Sequence, residues 1–508
     1  MALNNVTFIK GQGGLGRALA GEDHVSSLIF YTSSLPAGFD SSNRIKKVFS
    51  VAEAEALGIV STYSDETRAT GTYEFTNAGA AGDTIELKIQ QYPTLDNPTG
   101  VVSLGKYTVT SSDTTVTLLG TSYAAAINAG TSVHGYTATA SSGTVTITAP
   151  YGLGIFLNSG TPISATIVGT VAGTITQFSS GAYSKLSQFH YHVSEFFRKQ
   201  PQGELYIGMY AVPSVYNFAE VDTVQKFANG KIRQFGIFAD GTTYTSAKVQ
   251  ALQTVLNTLA SEQMPCEGII AFDYKAATLS ALADLSGLAS PNVSLVISQD
   301  GGNLGYQIYN ATGRSISNLG AVLGLVSLAK VSDDIAWIGQ YNIAGGAEND
   351  IVIFGNGAAL SAQSTSLLNT LNTYRYIFMI KKVGKAGTWV NDSHTCTTIS
   401  SDYAYIENNR TINKAIRNLY IGYLDALNSP LLLNSDGTLQ NTTVAYFEGL
   451  GNQSLDQMVR DTEISAKQVT VDPSQNVLTT SELAVSVDIV PVGVARNIKV
   501  KIKYTLSI

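Results

Sequence analysis

Charge is scarce in this 508-residue chain, where Asp, Glu, Lys and Arg together make up 14%, against roughly 25% in an ordinary soluble domain. Such a surface is neutral Ser, Thr, Asn and Gly, or is covered by partners; both are expected here. The balance is mildly acidic, 31 Lys and Arg against 38 Asp and Glu. No basic cluster stands out, which argues against nucleic acid as a direct partner. Cysteine is nearly missing: Cys266 and Cys396 stand alone, in no metal or redox spacing, and read as free thiols of a reducing compartment. No apolar run approaches the roughly 20 residues of a membrane helix, so membrane insertion is not expected. The first residues, MALNNVTFIKGQGG, lack the basic and apolar regions of a signal peptide, and synthesis in the cytoplasm is expected.

What is present changes character along the chain. Residues 1–24 pair a short β-like run, Val6–Ile9, with the glycine-rich GQGGLGR and read as an arm. Residues 25–60 hold an apolar strand (Val25–Tyr31), the run Ile45–Phe49, and a short helix with capping-box spacing at Ser50 and Glu53. Between Asp113 and Lys185 lie 71 residues without one Asp, Glu, Lys or Arg. Residues 61–184 are rich in Thr, Ser, Gly and Ala, with alternating pieces such as Thr84–Gln90, Thr114–Leu118 and Thr144–Ala149. Only Tyr123–Gly130 looks helical there, so an inserted all-β, sandwich-like domain facing outward is expected. Residues 185–400 alternate buried-type strands (Glu204–Val212, Ile232–Ala239, Gly268–Phe272, Val293–Ser298, Tyr374–Lys381) with helical periods at Ala247–Glu262, Leu279–Leu285 and Ile316–Leu328. That pattern predicts a largely parallel layered sheet. Near the end come an amphipathic helix at Asn408–Leu427, a second around Ser454–Ala466, and strands at Gln468–Val471 and Leu483–Val490.

The most regular piece is Ile498–Ile508. Ile498, Val500, Ile502, Tyr504 and Leu506 alternate with Lys499, Lys501, Lys503, Thr505 and Ser507, the period of a half-buried strand. A strand of this kind pairs within its own chain or adds to a sheet of another. The lysines fit protection of an edge against unwanted pairing.

No motif speaks for catalysis. GQGGLG (Gly11–Gly16) fits a dinucleotide fingerprint by letter, but Gly21 and another strand follow too soon for its helix, and Arg17 and Ala18 stand where a P-loop needs Lys and Ser or Thr. His190 and His192 form H-x-H, a spacing that could ligate metal from a strand, but no further ligands join them. Asp333–Asp334 reads as a solvated acidic pair, and no GxSxG elbow occurs. No cofactor, metal or catalytic residue is expected.

The C-terminal segment resembles contractile tail sheath proteins of bacteriophages and related injection machines. The features that carry the resemblance are TWVNDSHTCTT (Thr388–Thr398), Tyr403–Ile406, the helix ENNRTINKAIRNLYIGYLDAL with Arg410 opening R-x-I-N, and the ending from Glu463 through Pro491–Val492 to IKVKI. GQGGLGR is similar to the opening of sheath proteins from transposable-phage-like and Bacteroidales elements. The resemblance covers about the first 60 and last 120 residues. It implies an α/β core (a mixed sheet with flanking helices), an inserted all-β domain, and extended N- and C-terminal strand arms. The core sheath domain would comprise 25–60 with 400–508, including an arm at 491–508, beside an α/β middle domain at 185–400. That middle domain is described in the family as subtilisin-like in fold; no triad is carried over.

The resemblance also implies a role. Arms at Asn5–Ile9, with Val6 and Phe8, and at Ile498–Ile508 would add strands to neighbouring subunits. The receiving strand would carry Leu483, Val485, Val487 and Ile489, and the flexible linkers would be Gly11–Gly16 and Pro491–Arg496. The implied partners are further copies in stacked rings, an inner tail tube protein, and baseplate and tail terminator proteins. The implied location is a virion tail assembled in the host bacterial cytoplasm. Two alternatives stay open: another virion, baseplate or surface-adhesion protein with a β binding module, and an α/β enzyme.

Overall fold

Five parallel strands buried on both faces, with an antiparallel strand at one edge, organise the molecule. The structure, a computed structural model, describes Leu19 and residues 21–505. The central sheet runs in the order Val293–Leu295, Glu267–Ala271, Gln234–Phe238, Ser26–Tyr31, Leu205–Tyr210, Ile45–Val48. The first five are parallel, and Ile45–Val48 closes one edge antiparallel to Leu205–Tyr210. Burial on both faces explains why these strands read as continuous apolar runs rather than alternating ones.

Each face is covered by helices. Leu28, Phe30 and Ile207 pack against Lys185–Lys199 and Leu319–Leu328, whereas Ile29, Phe235 and Ile270 meet Ala219–Phe227 and Ser246–Ser261. The helix Leu319–Leu328 is apolar all round because Leu319 through Ser327 are all buried. It lies close to Lys185–Lys199 at Gly320, where a Cβ would come within 2.2 Å of the His192 carbonyl oxygen.

Between the strand Ile45–Val48 and the helix Lys185–Lys199, two antiparallel sheets enclose a separate core. One has the order Thr137–Ser141, Thr144–Thr148, Thr70–Asn77, Ala172–Ser179; the other Val101–Thr108, Thr84–Gln90, Ile163–Val168. Alternate residues such as Ile85, Leu87, Ile89, Val145 and Ile147 point inward. This region is not purely β. Val116–Ala129 is a helix capped by Thr115, whose side chain accepts from the Leu118 amide. Thr114–Leu118, expected as strand, is therefore largely the helix's first turn. Tyr123 fixes the helix to the sheet by accepting from the Leu87 amide at 2.9 Å. Asp65 accepts from the Lys185 amide at 2.8 Å, at the start of the helix Lys185–Lys199.

Other boundaries shift. His190 and His192, whose spacing could ligate metal from a strand, lie on a helix, Lys185–Lys199. Leu279–Leu285 holds only a single 3-10 turn, Leu279–Ala281. The second C-terminal helix, expected around Ser454–Ala466, runs Asn441–Arg460.

Candidate assembly interface

The C-terminal module is held on the body by the residues of R-x-I-N. Arg410, 4% exposed on the helix Ile406–Leu424, donates to the carbonyls of Ala329, Lys330 and Asp23. Asn413, one turn on, donates to Glu267 Oε1 at 2.7 Å. Lys414 bridges Asp23 and Glu463, each at 2.6 Å, and Arg417 lies 3.1 Å from Asp23. Burial pulls the Asp23 carboxyl upward, but Lys414, Arg410 and Arg417 outweigh it and hold it below the usual range.

On this base, Ile406–Leu424 packs antiparallel to Asn441–Arg460, and a two-stranded sheet lies against the second helix. That sheet pairs Ile464–Thr470 with Ser486–Pro491, placing Val469 opposite Val487 and Lys467 opposite Ile489. Val487 and Ile489 pack toward Ala415, Leu455, Met458 and Ile464. Leu483 and Val485 pack toward Ala426, Leu439, Phe447 and Val471. All four residues expected on the receiving strand thus face inward, although only Val487 and Ile489 lie in the paired strand. Among the described residues each strand of this sheet has one neighbour, so each keeps an open edge.

The alternating segment beyond it belongs to no sheet among the described residues. Ile498, Val500 and Ile502 are 78%, 74% and 88% exposed, and Tyr504 is fully exposed. Lys499, Lys501 and Lys503 are exposed too. Val6, Phe8, Gly11–Gly16 and Leu506 lie outside the described residues. On the helix Ile406–Leu424, Ile416, Tyr420, Ile421 and Leu424 are exposed, and Leu427, within the expected helix Asn408–Leu427, lies exposed beyond its end.

One contact escaped the sequence reading. Arg496 sends Nε to Asp392 Oδ1 at 3.0 Å and Nη2 to Asp334 Oδ2 at 3.3 Å and to Glu407 Oε1. Its guanidinium lies 3.5 Å from the centre of the Tyr405 ring. Arg496 Nη2 also donates to Ser393 Oγ at 3.3 Å, and that hydroxyl donates to Glu407 Oε2 at 2.5 Å. Burial, then the charges of Glu407 and Asp392, push the Asp334 carboxyl up to about 7. Burial also raises Glu407 against the pull of Arg496. Two expectations change. Asp334 is a buried receptor for a cation rather than half of a solvated pair, and Pro491–Arg496 is pinned at its last residue rather than a loose linker. Parts of every quoted C-terminal feature meet here: Asp392 and Ser393, Tyr405, Glu407, and Arg496. The signal in the sequence was one arginine in the otherwise uncharged stretch PVGVARN.

The H-x-H pair is divided. His190 Nε2 lies 2.8 Å from Glu55 Oε1, whereas His192 is fully buried beside Phe30 and Phe238. Burial pushes His192 down to about 3, so it is neutral. No group of three or more His, Cys, Asp or Glu among the described residues could hold a metal ion. Cys266 and Cys396 are buried thiols, pushed up by burial. No described helix is long and apolar enough to cross a membrane.

A layered α/β body carrying a helical C-terminal module with an exposed terminal strand sequence is the class of protein this architecture defines. The chain belongs to the DUF2586 family, whose N-terminal domain matches residues 3–394 and whose C-terminal domain matches residues 402–508. No curated protein matches it. Among solved structures it is similar to the helical sheath of the anti-feeding prophage in the contracted state, with TM-score 0.44 and 14% identity over 62% of this chain and 81% of that one. It is also similar to the sheath tail protein of Desulfitobacterium hafniense, with TM-score 0.36 and 12% identity over 96% and 100% of the two chains. The sheath tail protein Lin1278 of Listeria innocua gives TM-score 0.38 and 12% identity over 94% and 96%.

Proposed function

We propose that this chain is a structural subunit of a contractile tail sheath, polymerising helically around an inner tail tube and shortening to drive that tube through a cell envelope. The observation that carries the reading is the row Ile498, Val500, Ile502 and Tyr504, exposed in a chain whose C-terminal two-stranded sheet has open edges among the described residues. An exposed apolar row of strand periodicity is a surface for association. Lent from each copy to the next, it makes a head-to-tail contact that repeats without closing, which builds a helical polymer. Backbone hydrogen bonds, each worth a net ~0.5–1.5 kcal/mol, then hold neighbours together while their α/β bodies turn. Val6 and Phe8 would act likewise from the other arm, and 61–184 would be the outward-facing inserted domain. Baseplate and terminator proteins would bound the polymer, in a tail assembled in a bacterial cytoplasm.

A groove of about 510 Å³ lined by Tyr63, Tyr92, Tyr151, His134 and Gln307 favours a second reading, a baseplate or adhesion protein that binds a ligand there. Negative-stain electron microscopy of the purified chain separates the two. Long hollow cylinders are expected for a sheath; discrete particles at every concentration would overturn that reading.

A further inference from the structure

We infer that Asp334, Asp392, Glu407 and Tyr405 form a guanidinium socket that keeps the root of the terminal arm on its own subunit, so that only the chain beyond Arg496 is lent. The inference rests on the arm-lending reading above and specifies where the lent segment begins.

Three carboxylates from three distant stretches converge on one side chain. Asp334 follows the helix Leu319–Leu328, Asp392 follows the strand Lys385–Val390, and Glu407 lies in the first turn of Ile406–Leu424. Their side chains are 8%, 13% and 2% exposed, while that of Arg496 is 27% exposed and lies over them. Without a cation, these acids would face one another largely out of water, an arrangement that is costly unless charges are paired. The contacts suit arginine in particular. Nε and Nη2 reach different acceptors while the planar guanidinium meets the Tyr405 ring, which a lysine ammonium cannot reproduce.

Arg496 holds the root of the arm. The paired strand ends at Pro491, and from Ala495 onward the backbone lies at the surface. In this stretch the Arg496 amide donates to the Val494 carbonyl at 3.1 Å. Pinning Arg496 fixes the starting place and direction of the arm, which raises its effective concentration at a neighbouring edge. It also shortens the segment that must be ordered on docking.

Hydrogen–deuterium exchange on the full-length chain, kept unassembled by dilution, tests this directly. In Arg496→Ala the amide of residue 496, which donates to the Val494 carbonyl, is expected to exchange at least about threefold faster than in the wild type relative to its intrinsic rate, because the side chain no longer holds that turn in place. Arg496→Lys should resemble the alanine variant. Equal exchange in wild type and Arg496→Ala overturns the socket. If Arg496→Ala loses protection in the central sheet as well, Asp392→Asn replaces it. That variant should quicken the Arg496 amide by at least about threefold, and no change would overturn the inference. Polymerisation does not enter this readout: a wild type that forms no tubes defeats the sheath reading, and exchange still decides the socket.

Discussion

Asn413 donates its side-chain amide to Glu267 Oε1 at 2.7 Å, seating the helix that carries the terminal module on the first residue of a central-sheet strand. Asn292 donates to the same oxygen at 3.1 Å. Burial pushes this carboxyl from 4.5 up to about 8, against the opposing influence of Asn292, Arg410, Asn413 and Arg417. At neutral pH it therefore carries a proton.

That proton makes stability depend on pH. A carboxyl whose pKa is raised by folding contributes stability that is fully present below its unfolded value and lost as pH rises through its folded value. The wild-type melting temperature should therefore fall as pH rises from about 5 and level off above about 8. Glu267→Gln, which keeps the accepting oxygen and cannot ionise, should flatten this dependence. Thermal unfolding followed by circular dichroism in both proteins checks it; parallel curves would contradict it.

Arg410 satisfies three carbonyls, on Ala329, Lys330 and Asp23. Arg410→Ala leaves them without this donor in a buried place, a loss of at least about 2 kcal/mol. Limited proteolysis should release the C-terminal module first, with cleavage before Ile406. Arg410→Lys should rescue little, since one ammonium cannot span the fork.

His192 is buried with neither ring nitrogen hydrogen-bonded among the described residues. Replacing it with Phe removes two unsatisfied polar atoms and should stabilise the protein by about 1 kcal/mol, read from urea unfolding. Zinc or nickel should leave the wild-type melting temperature unchanged, because a metal stabilises only a state that binds it.

Gly320→Ala should be costly. The added methyl would meet the His192 carbonyl oxygen, a backbone atom in a fixed helix, at 2.2 Å. Overpacking commonly costs about 1–3 kcal/mol, and with backbone as the obstacle at least about 2 kcal/mol is expected. Urea unfolding measures the change.

Much of the central sheet was legible because strands buried on both faces leave continuous apolar runs: Glu204–Val212 contains the strand Leu205–Tyr210, and Ile232–Ala239 contains Gln234–Phe238. The stripe of Ala247–Glu262 likewise marked the helix Ser246–Ser261. Leu483, Val485, Val487 and Ile489 alternate in the sequence and face inward together. Lys185–Lys199 carries a helical period in Leu186, Phe189, Val193, Phe196 and Phe197, but the H-x-H spacing of His190 and His192 points to strand alternation instead. The helix Val116–Ala129 was obscured by a Thr and Val alternation that tertiary packing overrides. The Arg496 socket left almost no local trace, because its acids and its cation come from separate stretches that only the fold brings together.

Removing Ile498–Ile508 and imaging the purified protein by negative-stain electron microscopy tests the central claim most directly. The account expects a folded chain, with unchanged circular dichroism and a near-normal melting temperature, that forms no tubes under conditions where the wild type does. Tubes of normal length from the shortened chain would contradict it.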